Sequence, residues 1–230
     1  GLYIKNLITA TDDAVLEQKV AKWNQCDAAV KEQIRNGFLQ AIQSTVKVVS
    51  HTAAQVLAAY GAVDIPNNAW PSLLPALFQN ITSTEVPDVC KVASLEALGY
   101  ICDAMVPENV DDAVVNQILS SIIDGMRADR GSDVRLAAVV ALDNSLDFTN
   151  KNFEQAVERD AIVRAVCEGT QATELKIREK SFVCFASIAE LYYDKLQPYI
   201  ETAFKLSVTA ISSDDPIVGI QAIELWSTVC

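Results

Sequence analysis

The feature that most limits how this chain can fold is a segment that keeps returning. In "SDVRLAAVVALDNSLDF" (132–148), Asp133-Val134-Arg135 is followed by Ala137-Ala138 and then by Ala141-Leu142. About 44 residues earlier, Lys91 leads to Ala93-Ser94 and Ala97-Leu98 in the same spacing. About 43 residues later, Ile177-Arg178 leads to Ser181 and then Cys184-Phe185. Asp215-Pro216-Ile217-Val218 opens another copy, with Ala222 and Leu225-Trp226, and a looser one runs from His51 to Tyr60.

A period near 40 residues with two helices per unit is the signature of a HEAT or armadillo-type solenoid. The small residues Ala137, Ala138 and Ala141 let a helix lie close to its neighbour. Leu136, Val139 and Leu142 fill the spaces between them. No unit buries its apolar face alone, so each must stack on the next. The recurring segment is thus the second helix of a hairpin. The intervening stretches predict first helices at about 27–43, 70–80, 111–127, 155–168 and 197–212. Asp27 suits the cap of the first, and Pro71 the start of the second. Asp111 and Asp112 place negative charge at the start of the third, where the helix dipole favours it. Polar linkers such as "ADRGSD" (128–133) and "SSDDP" (212–216) close the hairpins. No strand alternation of useful length is present. The expected fold is all-α, an α-α superhelix of about five helical hairpins plus a partial one.

The ends shape a further expectation. "GLYIKNLI" reads as the tail of a helix already under way, and "ELWSTVC" stops inside an apolar periodic stretch. Neither resembles the polar cap that a solenoid end requires. Residues 1–230 are therefore expected to be a single solenoid fragment, truncated at both ends.

Composition narrows the function. The 230 residues are 50% hydrophobic with a formal net charge of −12, enough apolar content to bury a sizeable core. The acidic balance argues against nucleic-acid binding, which needs clustered Lys and Arg, and favours basic protein partners. The six cysteines (Cys26, Cys90, Cys102, Cys167, Cys184 and Cys230) form no CxxC pair and read as buried thiols in a reducing compartment. The uncharged run Ile65–Thr84 carries Pro66, Pro71 and Pro75, which rules out a membrane span, and no signal peptide is legible. A cytoplasmic or nuclear protein fits.

Catalytic groups are scarce. His51 is the single histidine, and any Ser/His/Asp or Cys/His site would have to use it. No phosphate-cradling glycine loop and no spaced Cys/His metal ligands appear. Two surfaces remain for binding. The helix at 111–127 has two apolar stripes, Val114, Ile118, Ile122 and Met126 on one and Val115, Leu119 and Ile123 on the other. Both suit burial in a solenoid, and Leu119 and Ile123 can also border a shallow groove for aromatic side chains of an extended peptide. On the second helices, Glu96, Tyr100 and Asp103 share one face, as do Asp143 and Asp147 one unit on, with Glu190 and Glu224 adding the same sign. Such a wall is either a solvated helix face or a match for a basic globular partner.

Several stretches carry a more specific likeness. "GLYIKN" (1–6), "DIPNNAWPSLLPAL" (64–77), "SLEALGYICD" (94–103), "VRLAAVVALDNSLDF" (134–148), "VCEGTQA" (166–172), "LYYDKLQPY" (191–199) and "IELWSTVC" (223–230) follow one another in register. Over essentially its whole length the chain resembles the N-terminal part of the importin-β (karyopherin) family of nuclear import receptors. A general HEAT scaffold subunit of a stable cytoplasmic complex shares the period but not these landmarks.

The resemblance implies a cargo carrier with no catalytic activity and no cofactor, found in the cytoplasm, the nucleus and the nuclear pore. It implies binding to Ran-GTP through the N-terminal repeats and to Phe-Gly repeats of nucleoporins in grooves between first helices. The importin-α adaptor and cargo would be held mainly by repeats beyond Cys230. Carried over by position, the nucleoporin groove falls on Leu119, Ile123 and Tyr199. The family position between them usually holds an aromatic ring, and here it is Ala161, a loss of about 2 kcal/mol of apolar contact that neighbours such as Ile162 would have to replace. For Ran, the resemblance points to Lys5 and Asn6, and helix face to Glu96, Tyr100 and Asp103. Ran-GTP selecting one curvature of the solenoid would disfavour the curvature that grips cargo.

Overall fold

The structure, a computed structural model, describes residues 2–107 and 110–229, the side chains of Leu2 and Val229 excepted. Cys230 lies outside the described residues. All regular structure among those described is helical. The chain divides into two compact units, residues 1–121 and 122–230, with the division falling inside one helix.

In the first unit α1 (Leu2–Asn6), α2 (Asp13–Gln25) and α3 (Ala28–Ala41) precede α4 (Lys47–Asp64). They are followed by α5 (Leu73–Thr82), α6 (Asp88–Ala104) and the start of α7 (Asp112–Met126). The second unit takes the rest of α7, then α8 (Ser132–Ser145), α9 (Asn150–Glu154) and α10 (Ala156–Gly169). It closes with α11 (Leu175–Leu191), α12 (Ile200–Ser213) and α13 (Pro216–Val229). All five expected first helices are present as α3, α5, α7, α10 and α12, each followed by its expected partner. Asp27 caps α3 by accepting from the amides of Ala29 and Val30, and Asp111 accepts from Ala113 at the start of α7. The second expected helix starts later than its pattern suggests, at Leu73, because Trp70 and Pro71 turn the chain and Trp70 is buried.

The recurring small residues do what their size dictates. α4 buries Ala53, Ala54, Leu57, Ala58 and Gly61 where it packs along α6, which buries Ala93, Ala97, Leu98 and Ile101. A Cβ on Gly61 would stand 2.8 Å from Leu73 Cδ2, so anything larger there has to displace that side chain. In the second unit α8 packs on α11 and α11 on α13, with Ala138, Ala141, Cys184 and Ala222 buried.

The arginines of two successive repeats have a second task. Arg135 donates to the carbonyl of Met126 at the end of its own hairpin's first helix (3.4 Å) and pairs with Glu174 in the next hairpin's turn (3.6 Å). Arg178 repeats the arrangement more tightly. It donates to the carbonyls of Ala172 and Thr173 (2.9 and 2.7 Å) and grips both oxygens of Asp214 at 2.6 Å. Each arginine thus ties the turn of its own hairpin to the turn of the next.

Two helices were not legible in the pattern. α2 exposes most of its length and buries only Trp23, so its apolar signal is weak. It ends at Cys26, which the break between α2 and α3 leaves exposed, against the expectation that all the cysteines are buried. Cys90, Cys102 and Cys184 are buried and Cys167 partly so. Burial pushes the Cys102 thiol up to about 12 and the Cys167 thiol to about 11, values that keep them inert at neutral pH. α9 is held by Phe153, fully buried and stacked on Tyr192 at 3.9 Å, whose hydroxyl donates to the carbonyl of Leu146.

Candidate partner-binding surfaces

The acidic wall foreseen on α6 exists and is better organised than a solvated face. Glu96 and Tyr100, one turn apart, are half-buried, and Asp103 is exposed at the helix end. α4 lies directly alongside, and its His51 places Nδ1 2.8 Å from Glu96 Oε2, while Gln55 Nε2 sits 3.0 Å from His51 Nε2. An ionised carboxylate only accepts and an amide nitrogen only donates. With Gln55 Nε2 as donor, ring Nε2 accepts and Nδ1 carries the proton toward Glu96. Burial, and after it the charge of Glu96, holds the Tyr100 phenol above its ordinary value.

Lys5 and Asn6 do not join this group. They end α1, whose packing partner is α4. Lys5 is half-buried. The Asn6 carbonyl receives the ammonium of Lys19 at 2.6 Å, so the backbone there is already engaged, while the Asn6 side chain is exposed. One repeat beyond α6, Asp143 turns away from the role foreseen for it. It is drawn toward α11, bonded by Ser187 and near Lys180, with its Oδ1 buried and without a hydrogen-bond partner. Burial raises its carboxyl above the ordinary value. Asp147 stays exposed.

The second surface involves first helices. Leu119 is buried on α7 and Ile123, one turn later, is half-buried. On α10, Ile162 is buried and so turned from solvent, whereas Ala161 is exposed. Tyr199, at the end of the 3-10 turn Gln197–Tyr199 that leads into α12, reaches back to α10. Its hydroxyl accepts from Arg159 Nε at 3.2 Å and donates to the Asp160 carboxylate. The structure therefore brings Tyr199 to the same turn of α10 as Ala161. One turn before Ala161 stands Val157, 83% exposed, so two apolar side chains face solvent there. Among the described residues no cluster of His, Cys, Asp and Glu is arranged to hold a metal ion, and no helix is long and apolar enough to cross a membrane.

Comparison with known proteins places the chain in a family. No family model matches the chain. Importin subunit beta-1 of Arabidopsis thaliana is 40% identical to it over 100% of the chain and 26% of the plant protein. The chain belongs to the importin-β family. It spans about a quarter of the length of the curated importin-β relatives it matches. Yeast importin-β (Kap95p), in a structure where its binding induces the switch loops of RanGDP to adopt the GTP-bound conformation, is 35% identical with a TM-score of 0.93, covering 100% of this chain and 27% of that one. The same yeast protein in complex with Nup1 is 34% identical with a TM-score of 0.91, with the same coverage. The importin-β likeness makes the architecture a HEAT-repeat solenoid, as its period required.

Three residues of interest escaped the pattern. His51 stands out in sequence as the one histidine, which directs attention to catalysis and away from its acidic partner 45 residues on. Gln55 carries no signal apart from its i+4 spacing to His51. Val157 reads as one more apolar position of an amphipathic helix, and only the packing around α10 shows that it faces solvent.

Proposed function

We propose that this chain is part of a nuclear transport receptor, binding Ran in its GTP form through the α4–α6 face and Phe-Gly segments of nucleoporins along α7, α10 and α12. The observation that carries the reading is the match over the entire chain to yeast importin-β, which has been solved both with Ran and with Nup1. Glu96, Tyr100 and Asp103 supply an accessible acidic and aromatic face for a basic partner, with Lys5 and Asn6 as a separate contact on α1. Of the residues proposed for Phe-Gly contact, Leu119 and Ile123 lie on α7, Ile162 is buried on α10, Val157 and Ala161 are exposed and Tyr199 is half-buried. The role is recognition rather than catalysis, with no cofactor. The importin-α adaptor and cargo engage mainly other repeats of the full-length receptor, which works in the cytoplasm, the nucleus and the pore between them.

The test is a pull-down of the chain with Ran loaded with a non-hydrolysable GTP analogue or with GDP. Retention with the GTP form and clearly weaker retention with the GDP form is expected. Equal or absent retention of both, by a chain of native helicity, overturns the Ran assignment.

A further inference from the structure

The α4–α6 face holds a feature that neither the resemblance nor the comparisons assign. Gln55, His51 and Glu96 form an unbroken hydrogen-bonded line from α4 to α6, at 3.0 and 2.8 Å. Gln55 and His51 are one turn apart on α4, so the line crosses a single helix interface, the most closely packed one in this unit. The consequence for Glu96 is directional. Its Oε2 is taken by His51, and its Oε1 accepts no hydrogen bond among the described residues. The site is also reachable, the side chains of Glu96 and His51 being 24% and 42% exposed.

We infer that His51 is a positioning residue for partner recognition: with Gln55 behind it, it holds the Glu96 carboxylate in one orientation, leaving Oε1 to receive a guanidinium or ammonium group of a basic partner. A free glutamate on a helix samples several rotamers, and ordering it at the moment of binding is an entropic penalty. Holding the carboxylate beforehand removes that penalty. Donating Nδ1–H to one oxygen aligns the carboxylate and leaves its other oxygen open to the partner. Tyr100 stands one turn beyond Glu96 on the same helix, half-buried like it. α4 thereby becomes part of the recognition face and more than a support for α6.

This inference rests on the reading of the chain as a Ran-GTP binder, and the experiment separates the two. Binding of the whole 230-residue chain to Ran loaded with a GTP analogue is measured by calorimetry for the wild type and for Glu96→Gln, His51→Leu, His51→Asn and the double variant Glu96→Gln/His51→Leu. Glu96→Gln is expected to weaken binding about tenfold and His51→Leu about fivefold. His51→Asn, which keeps a donor near the Nδ1 position, is expected to restore affinity to within about twofold of the wild type. The double variant should bind no worse than Glu96→Gln alone, because the histidine then has nothing left to position. His51→Leu binding like the wild type while Glu96→Gln is impaired overturns the positioning role and leaves the Ran reading intact. No binding by the wild type overturns the Ran reading, and the histidine is then judged on the free chain by 15N NMR of the imidazole at pH 8. The Nδ1–H tautomer, reverting toward Nε2–H in Glu96→Ala, supports the relay, and a wild-type ring already in the Nε2–H form overturns it.

Discussion

Arg35 and Asp64 lie 29 residues apart in sequence, and their side chains meet in the interior of the first unit, 2.6 Å between Arg35 Nη2 and Asp64 Oδ2. Trp23 Nε1 donates to the other oxygen of Asp64 at 3.0 Å, and the guanidinium lies 5.6 Å from the ring centres of both Trp23 and Trp70. This cluster joins α2, α3 and the end of α4 around one buried charge pair. It accounts for a helix, α2, whose own apolar pattern is too weak to dock it. Removing one member leaves the other ion buried without compensation, which typically costs about 3–5 kcal/mol. Asp64→Ala should therefore lower unfolding free energy by about that amount in urea titrations followed by circular dichroism. Replacing both ions together, as Arg35→Met with Asp64→Leu, should recover much of the loss, since the desolvation penalty then disappears.

The α10–α11 hairpin should respond to small changes of volume. A Cβ on Gly169 would stand 2.2 Å from Ser181 Oγ and 3.1 Å from Ser181 Cβ, so Gly169→Ala must displace the Ser181 side chain and should cost about 1–3 kcal/mol. Ser181 Oγ is buried without a hydrogen-bond partner. Ser181→Ala should accordingly stabilise the chain by about 1 kcal/mol, and it should soften the effect of Gly169→Ala. Thermal melts of the two single variants and the double variant test both expectations.

Asp143 gives a pH dependence of definite sign. Burial raises its carboxyl above the ordinary 3.8, with the Ser187 hydrogen bond and the Lys180 charge pulling the other way. Between 3.8 and the raised folded value, the folded chain retains a proton that the unfolded chain has lost. Stability attributable to this group therefore falls as pH rises through that window, and the deficit persists at neutral pH. Asp143→Asn should melt about a degree above the wild type at pH 7, the shift expected for a fraction of a kcal/mol in a chain of this size. The gap should close as pH falls below 3.8, where the aspartate is neutral in both states.

On α10, Ala161 is exposed beside the turn that Tyr199 grips, with Val157 exposed one turn earlier. A ring placed at Ala161 meets no packed neighbour that the alanine was filling. Ala161→Phe should raise affinity for a Phe-Gly peptide several-fold, within the roughly 2 kcal/mol that burying such a side chain contributes. Val157→Asp should weaken the same peptide's binding by about tenfold with the melting temperature unchanged. Fluorescence anisotropy with a labelled peptide measures both, and an unmoved affinity in both variants places the peptide elsewhere.

The sequence by itself determined the repeat and hence the architecture. Helix periodicity is local, and the stacking residues Ala93, Ala137 and Ala138 must be small wherever two helices approach closely, so their spacing records the fold directly. The basic residue at Lys91, Arg135 and Arg178 was equally visible as a recurrence, though its use was not: only the folded loops show Arg178 gripping Asp214. Tertiary structure alone decided which polar side chains are free. Glu96 and Asp143 look alike on a helical wheel, yet one is held at the surface by His51 and the other is drawn under α11 beside Ser187. Trp23, Arg35 and Asp64 likewise give no local sign of meeting. The physical reason is the same in each case. A helix face carries its hydrophobic pattern in its own sequence, but whether a charge on that face meets water, a partner or a buried counter-ion depends on which helix packs beside it.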